Sequence, residues 1–90
     1  DGEKAIEIIL SDSPDLIVSE IMLPKMDGFL IREKLLLNSN TKNIPYIFLS
    51  YLKDENTVKR ASKLGVNYYI KKPFMISELI GIVQNTMKKE

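Results

Sequence analysis

Ninety residues suffice for one domain or part of one, and a composition 44% hydrophobic and 28% charged belongs to a folded globular chain, not a disordered one. Thirteen basic against twelve acidic side chains leave a net charge of +1, which gives no electrostatic case for nucleic-acid or membrane-surface binding. With neither cysteine nor histidine, the sequence excludes disulfides, thiolate and imidazole metal sites, and Ser-His-Asp catalysis within itself.

The first periodic segment, Glu3 to Leu10, carries Ala5, Ile8 and Ile9 at helical spacing and ends in Ser11-Asp12-Ser13-Pro14, a run of turn formers. Leu16 to Ser19 reads as a short buried strand, and Glu20 stands where that strand ends. A Pro-containing turn follows. Asp27, a good N-cap, then opens a helix over Phe29–Leu37, with Arg32, Glu33 and Lys34 marking its wet side.

Asn38 to Asn43 is a polar loop, and Tyr46-Ile47-Phe48-Leu49-Ser50 is a continuous apolar strand ending in a hydroxyl. Asp54 to Leu64 is a helix with a sparse stripe, Val58, Ala61 and Leu64, and Gly65 suits its C-terminal cap. Asn67 to Ile70 reads as a third strand and Lys71-Lys72-Pro73-Phe74 as a sharp turn. A last helix begins near Ser77, read as its N-cap, and buries Leu79, Ile80, Ile82, Val83 and Met87.

Strands alternating with helices predict an α/β domain, a parallel sheet flanked by helices and joined by right-handed crossovers. No internal repeat or second domain is visible. In a parallel sheet all C-terminal strand ends share one edge. That edge collects Glu20, Ser50 and the Lys71-Lys72 pair, an acid, a hydroxyl and an ammonium suited either to a compact anion or to a salt-bridged polar cap. Each residue alone is an ordinary surface residue. Their common place, one polar group after each apolar strand, makes them a candidate site.

The order of residues resembles the receiver domain of bacterial response regulators, the phosphoacceptor module of two-component signalling, with its flavodoxin-like (βα)5 fold. The resemblance is carried by Asp15-Leu-Ile-Val-Ser-Glu-Ile-Met-Leu-Pro-Lys-Met-Asp-Gly28, by Pro45-Tyr-Ile-Phe-Leu-Ser50, by Gly65-Val-Asn-Tyr-Tyr-Ile-Lys-Lys-Pro-Phe74 and by the opening Asp1-Gly2-Glu3-Lys4-Ala5. It extends over essentially all of residues 1–90. It implies that Glu20 stands at the position of the aspartate that takes a phosphoryl group from a histidine kinase. It also implies Mg²⁺ held by that carboxylate, by the backbone carbonyl of Met22 and by an acidic pair after the family's first strand. Ser50 matches the hydroxyl that moves toward the phosphoryl group, Lys72 the lysine that contacts its oxygens, and Tyr69 the aromatic that changes rotamer on activation. The bond before Pro73 matches one that is cis in the family.

Two departures shape the functional expectation. Glutamate carries its carboxylate about one bond length (~1.5 Å) further than aspartate, and phosphoryl transfer depends on positioning. Loss of phosphotransfer is therefore expected. Glu20 then either imitates the phosphorylated form, with one charge where a phosphoryl carries nearly two, or forms a plain salt bridge with Lys72. The second departure is that the sequence opens, by resemblance, after the family's second strand. The first two strands, the first helix and the acidic pair are then missing. Asp12 and Asp15 cannot replace that pair, because both precede the Leu16–Ser19 strand at its opposite end. Weak or no Mg²⁺ binding is expected, as is an exposed edge on that strand, which a longer polypeptide or a homodimer would cover.

The leading expectation is a degenerate receiver domain that is a signalling and protein-interaction module, not an enzyme. A sensor histidine kinase or another signalling protein is its partner. Its output face would lie on the Asp54–Leu64 helix, the Asn67–Ile70 strand and the final helix. No direct contact with nucleic acid is expected of this chain. The longest apolar runs, such as Leu35–Leu37, are too short to cross a membrane, and no signal peptide is visible, so a cytoplasmic place is expected. The alternative is a flavodoxin-like α/β fragment binding a nucleotide or flavin phosphate. The absence of a glycine-rich phosphate loop weighs against it, since Gly2, Gly28, Gly65 and Gly81 lie far apart.

Overall fold

The computed structural model describes residues 2–23 and 26–88, with Leu23 and Met26 described by backbone alone. In chain order the elements are α1 (Gly2–Asp12), β1 (Ile17–Glu20), β2 (Met22–Leu23), β3 (Met26–Asp27), α2 (Gly28–Leu36), β4 (Tyr46–Ser50), α3 (Glu55–Lys63), β5 (Tyr68–Lys71) and α4 (Ile76–Met87). β1, β4 and β5 form a parallel sheet with β4 in the centre, as the alternation of elements predicts. Ile17 lies beside Tyr46, and Ile47 beside Tyr68.

The unbroken apolar run of β4 follows from its place. Tyr46 and Phe48 point to one face and Ile47 to the other, and all three are fully buried. Tyr46, Phe48 and Ile17 meet Phe29, Ile31 and Leu35 of α2 and Ala61 of α3, and α1 adds Ala5, Ile6 and Ile9. Phe48 receives Phe29 and Tyr46 edge-on, with ring centroids 5.3 and 5.1 Å away. Each large side chain removed from water here contributes roughly 1.5–3 kcal/mol. α4 stands outside this cluster; its Asn85 donates to the Tyr68 hydroxyl at 2.8 Å.

Several expectations are met at the element ends. Asp27 caps α2, its carboxylate accepting the Phe29 N–H at 2.9 Å. Asp54 caps α3 through the Thr57 N–H at 3.0 Å and the Thr57 hydroxyl. These bonds hold the exposed Asp54 carboxyl below the usual carboxylate range. Gly65 follows α3 with φ 68°, the left-handed conformation that favours glycine. The peptide bond before Pro73 is cis.

Other expectations are corrected. Arg32 is not on the wet side of α2 but 4% exposed. Its Nε donates to the Leu64 carbonyl at 3.0 Å and its Nη2 to the Gly65 carbonyl at 3.2 Å, and its guanidinium lies 5.1 Å from the Tyr46 ring centre. Burial pushes the Arg32 pKa down and that of the neighbouring Tyr46 phenol up. The reason is that the end of α3 closes over α2, and its free carbonyls need donors. Leu37, read as part of the apolar helix, is 87% exposed and lies just past its end.

Ser77 is not the cap of α4. The helix starts at Ile76, where the Glu78 carboxylate accepts the Met75 N–H at 3.2 Å. Nor are the five predicted apolar residues of α4 buried. Ile80 is half exposed, Leu79, Ile82, Val83 and Met87 are part-exposed, and Thr86 is the helix's only buried residue. α1 runs on into Ser11 and Asp12 before Ser13 turns the chain with φ 48°. β2 and β3 form a small antiparallel pair that no sequence pattern announces. Pro24, on which the expected turn falls, lies outside the described residues.

Candidate functional site

The site forms because three parallel strands stop together. In register Glu20 lies beside Leu49, and Ser50 beside Lys71, and Lys72 turns off β5 with its N–H on the Ser50 carbonyl at 2.8 Å. The open side is a cleft of about 300 Å³ with Glu20, Ser50 and Lys72 on its polar side and Met22, Tyr51 and Leu52 on its apolar side. Lys72 Nζ is ion-paired with Glu20 Oε1, the two side chains being 19% and 35% exposed. Coulomb attraction between such half-sheltered charges is stronger than at an open surface.

Each residue singled out in the sequence has a definite place. Glu20, Met22, Ser50 and Lys72 all line the cleft. The Ser50 side-chain oxygen accepts the Leu52 N–H at 3.0 Å, fixing the bend after β4. Tyr69 does not line the cleft. It packs half-buried against the core, and its hydroxyl donates to the Leu52 carbonyl at 2.7 Å, so one residue links it to the Ser50 loop. Lys71 ends β5 exposed and takes no part in the cleft. Asp15 precedes β1, at the opposite end of that strand from Glu20.

Sequence reasoning missed Tyr51. It is 70% exposed, and the Lys72 ammonium lies 5.2 Å from its ring centre. The one signal for it is an aromatic directly after the strand-end serine, too common a feature to single out.

The described residues of the cleft offer a divalent metal few oxygen donors. Among the described residues Glu20 is the only carboxylate lining the cleft, and it is engaged by Lys72. No group of three or more acidic side chains placed to hold a metal exists among the described residues. A hard cation such as Mg²⁺ takes a near-octahedral set of oxygens, and the described residues alone do not supply that set.

A three-stranded parallel sheet with helices on both sides and an acid, a hydroxyl and a lysine at its carboxyl edge defines a doubly wound α/β module with its site in the expected crevice. The chain belongs to the response regulator receiver domain family, whose model matches residues 1–84. It is 40% identical over 91 residues to hybrid signal transduction histidine kinase D of Dictyostelium discoideum, covering 99% of this chain and 6% of that protein. It is 33% identical over 84 residues to the probable chemotaxis protein CheY of Rhizobium etli, covering 93% of this chain and 65% of that protein.

Among solved structures, the signal receiver domain of a signal transduction histidine kinase from Syntrophus aciditrophicus superposes with a TM-score of 0.84 at 30% identity, over 98% of this chain and 67% of that one. A two-component response regulator from Clostridium difficile gives 0.86 at 27% identity, over 99% and 71%. The chain spans less than two thirds of either curated relative. The fold and the two-component family are thus those expected, and the flavin- or nucleotide-binding alternative is not favoured. No helix among the described residues is long and apolar enough to cross a membrane.

Proposed function

We propose that this receiver domain works as a phosphorylation-independent signalling module, one whose acceptor position no longer takes up a phosphoryl group. The observation that carries the reading is the Glu20–Lys72 ion pair. The carboxylate that would attack the phosphoryl donor and the ammonium that would receive its oxygens are spent on each other. Attack needs a correctly placed carboxylate oxygen and a cation held in reserve; the longer side chain of Glu20 displaces the first, and its pairing with Lys72 occupies the second. The domain then acts through protein contacts, with a sensor histidine kinase or another signalling protein as partner, in the cytoplasm, and with no nucleic acid bound by this chain. β1 lies at the edge of the three-stranded sheet with Val18 41% exposed, and that edge is where a further strand or a second copy would add.

The test is incubation with acetyl phosphate and Mg²⁺, followed by intact-mass measurement. The unmodified chain is expected to show no gain, and the mass of one added phosphoryl group would refute the reading. The same measurement on Glu20→Asp asks whether restoring the acceptor restores uptake.

A second reading, that Glu20 imitates the phosphorylated form, has one observation in its favour. The Tyr69 hydroxyl is drawn in to the Leu52 carbonyl, tying the aromatic to the loop after Ser50. Under mimicry, Glu20→Gln releases that hydroxyl and shifts the Tyr69 ring resonances in an NMR spectrum. Under a plain ion pair they stay in place.

A further inference from the structure

We propose that Tyr51 is a positioning residue: its ring holds the Lys72 ammonium on the Glu20 carboxylate and so keeps the cleft closed to anions. This rests on the reading of the Glu20–Lys72 pair given above and adds the residue that maintains it. A lysine ammonium ends a flexible four-carbon stem and is strongly hydrated. A single carboxylate attracts such a group without fixing its position, because water and side-chain entropy compete.

Lys72 has a second contact. Its Nζ lies 5.2 Å from the Tyr51 ring centre, within the range over which an aromatic face attracts a cation. The ammonium is thus held from two sides, by charge and by a π-face, and its side chain is only 19% exposed. Core packing does not account for the ring, which is 70% exposed. The backbone around it, however, is fixed. The Leu52 N–H is bound by the Ser50 hydroxyl and the Leu52 carbonyl by the Tyr69 hydroxyl, at 3.0 and 2.7 Å. Those two bonds clamp the residue after Tyr51 and leave its ring over the cleft. An incoming dianion, whether inorganic phosphate or a phosphoryl donor, must draw Lys72 away from both partners.

The test reads Lys72 directly. The full chain is treated with limiting acetic anhydride, and acetylation rates of individual lysines are followed by peptide mass spectrometry, with the exposed Lys63 of α3 as internal reference. Tyr51→Leu is expected to raise the Lys72 rate relative to Lys63 by roughly two- to five-fold, the scale of one exposed cation–π contact, whereas Tyr51→Phe leaves it unchanged. A Leu variant no faster than the unmodified chain, or a Phe variant as fast as the Leu variant, overturns the proposal. A measurement without any variant stands beside it. In the NMR spectrum the ε-protons of Lys72 are expected upfield of those of Lys63, because the ammonium they adjoin lies over the Tyr51 ring, and coincidence of the two overturns the proposal. Phosphoryl uptake by the unmodified chain would refute the reading of Glu20 without changing these lysine rates, so the two failures are separable.

Discussion

Lys72→Met keeps most of the lysine stem and deletes its ammonium, leaving the Glu20 carboxylate in the cleft without its cation. Exposed ion pairs couple by about 0.2–1 kcal/mol, whereas breaking a buried pair costs about 3–5 kcal/mol. With its side chains 19% and 35% exposed, the Glu20–Lys72 pair lies between these limits. A coupling of ~1–2 kcal/mol is the corresponding expectation. The assay is a double-mutant cycle of Glu20→Gln, Lys72→Met and the double variant, each unfolded in urea and followed by far-ultraviolet circular dichroism. At a urea m-value of about 1 kcal/mol/M, Lys72→Met should lower the midpoint by at least ~1 M, and the double variant should recover much of the loss. Because the pair is partly sheltered, added salt should weaken the coupling less than it weakens the exposed Lys59–Glu55 pair. A coupling below ~0.3 kcal/mol, or of opposite sign, would show that the two groups are not held together and would remove the basis of the functional reading.

Arg32→Met should destabilise the fold by ~2–3 kcal/mol. It deletes two donors to the Leu64 and Gly65 carbonyls, worth about 1.5–3 kcal/mol each for a charged donor, with part returned because a cation is no longer buried. A loss under ~1 kcal/mol in the same urea titration would refute that role. Asp54 gives a pH dependence of defined sign. Its folded pKa lies below the ordinary value of 3.8, chiefly through the Thr57 hydroxyl and N–H, so its support of α3 is complete above that value. The support is lost as the pH falls through the lowered folded pKa. Hydrogen exchange at the Thr57 N–H should therefore gain an acid-dependent opening on descending from roughly pH 5 to pH 2, and Asp54→Asn should remove it. An equal acid response in both proteins would count against the cap.

The site was more legible in the sequence than the packing around it. Glu20, Ser50 and Lys72 could be read because each follows an apolar strand, and parallel topology then leaves no choice about which edge they share. β4 could be read because a strand buried on both faces has an unbroken apolar run. Arg32 could not, since an arginine between Ile31 and Glu33 looks solvated until the end of α3 is known to close over it. The start of α4 was misplaced because Ser77 is a better cap by type, yet Glu78 supplies the acceptor from inside the first turn. α4 itself has an apolar pattern with little to bury it among the described residues, and periodicity reports amphipathicity, not the presence of a neighbour. Tyr51 escaped because its contact depends on where Lys72 ends up, which is a tertiary fact.

Gly28 begins α2 directly behind the end of β1, its N–H on the Ile21 carbonyl at 2.7 Å. A Cβ added there would meet Ile21 Cα at 2.9 Å and the Glu20 carbonyl oxygen closer still. Both obstacles are backbone, so nothing flexible can give way. The backbone that carries position 20 is therefore packed against a residue with no side chain, on the far side of the β2–β3 pair. In a saturation library selected for phosphoryl uptake, position 20 is free to change while position 28 is not. A search for compensating changes at the start of α2 should return glycine every time.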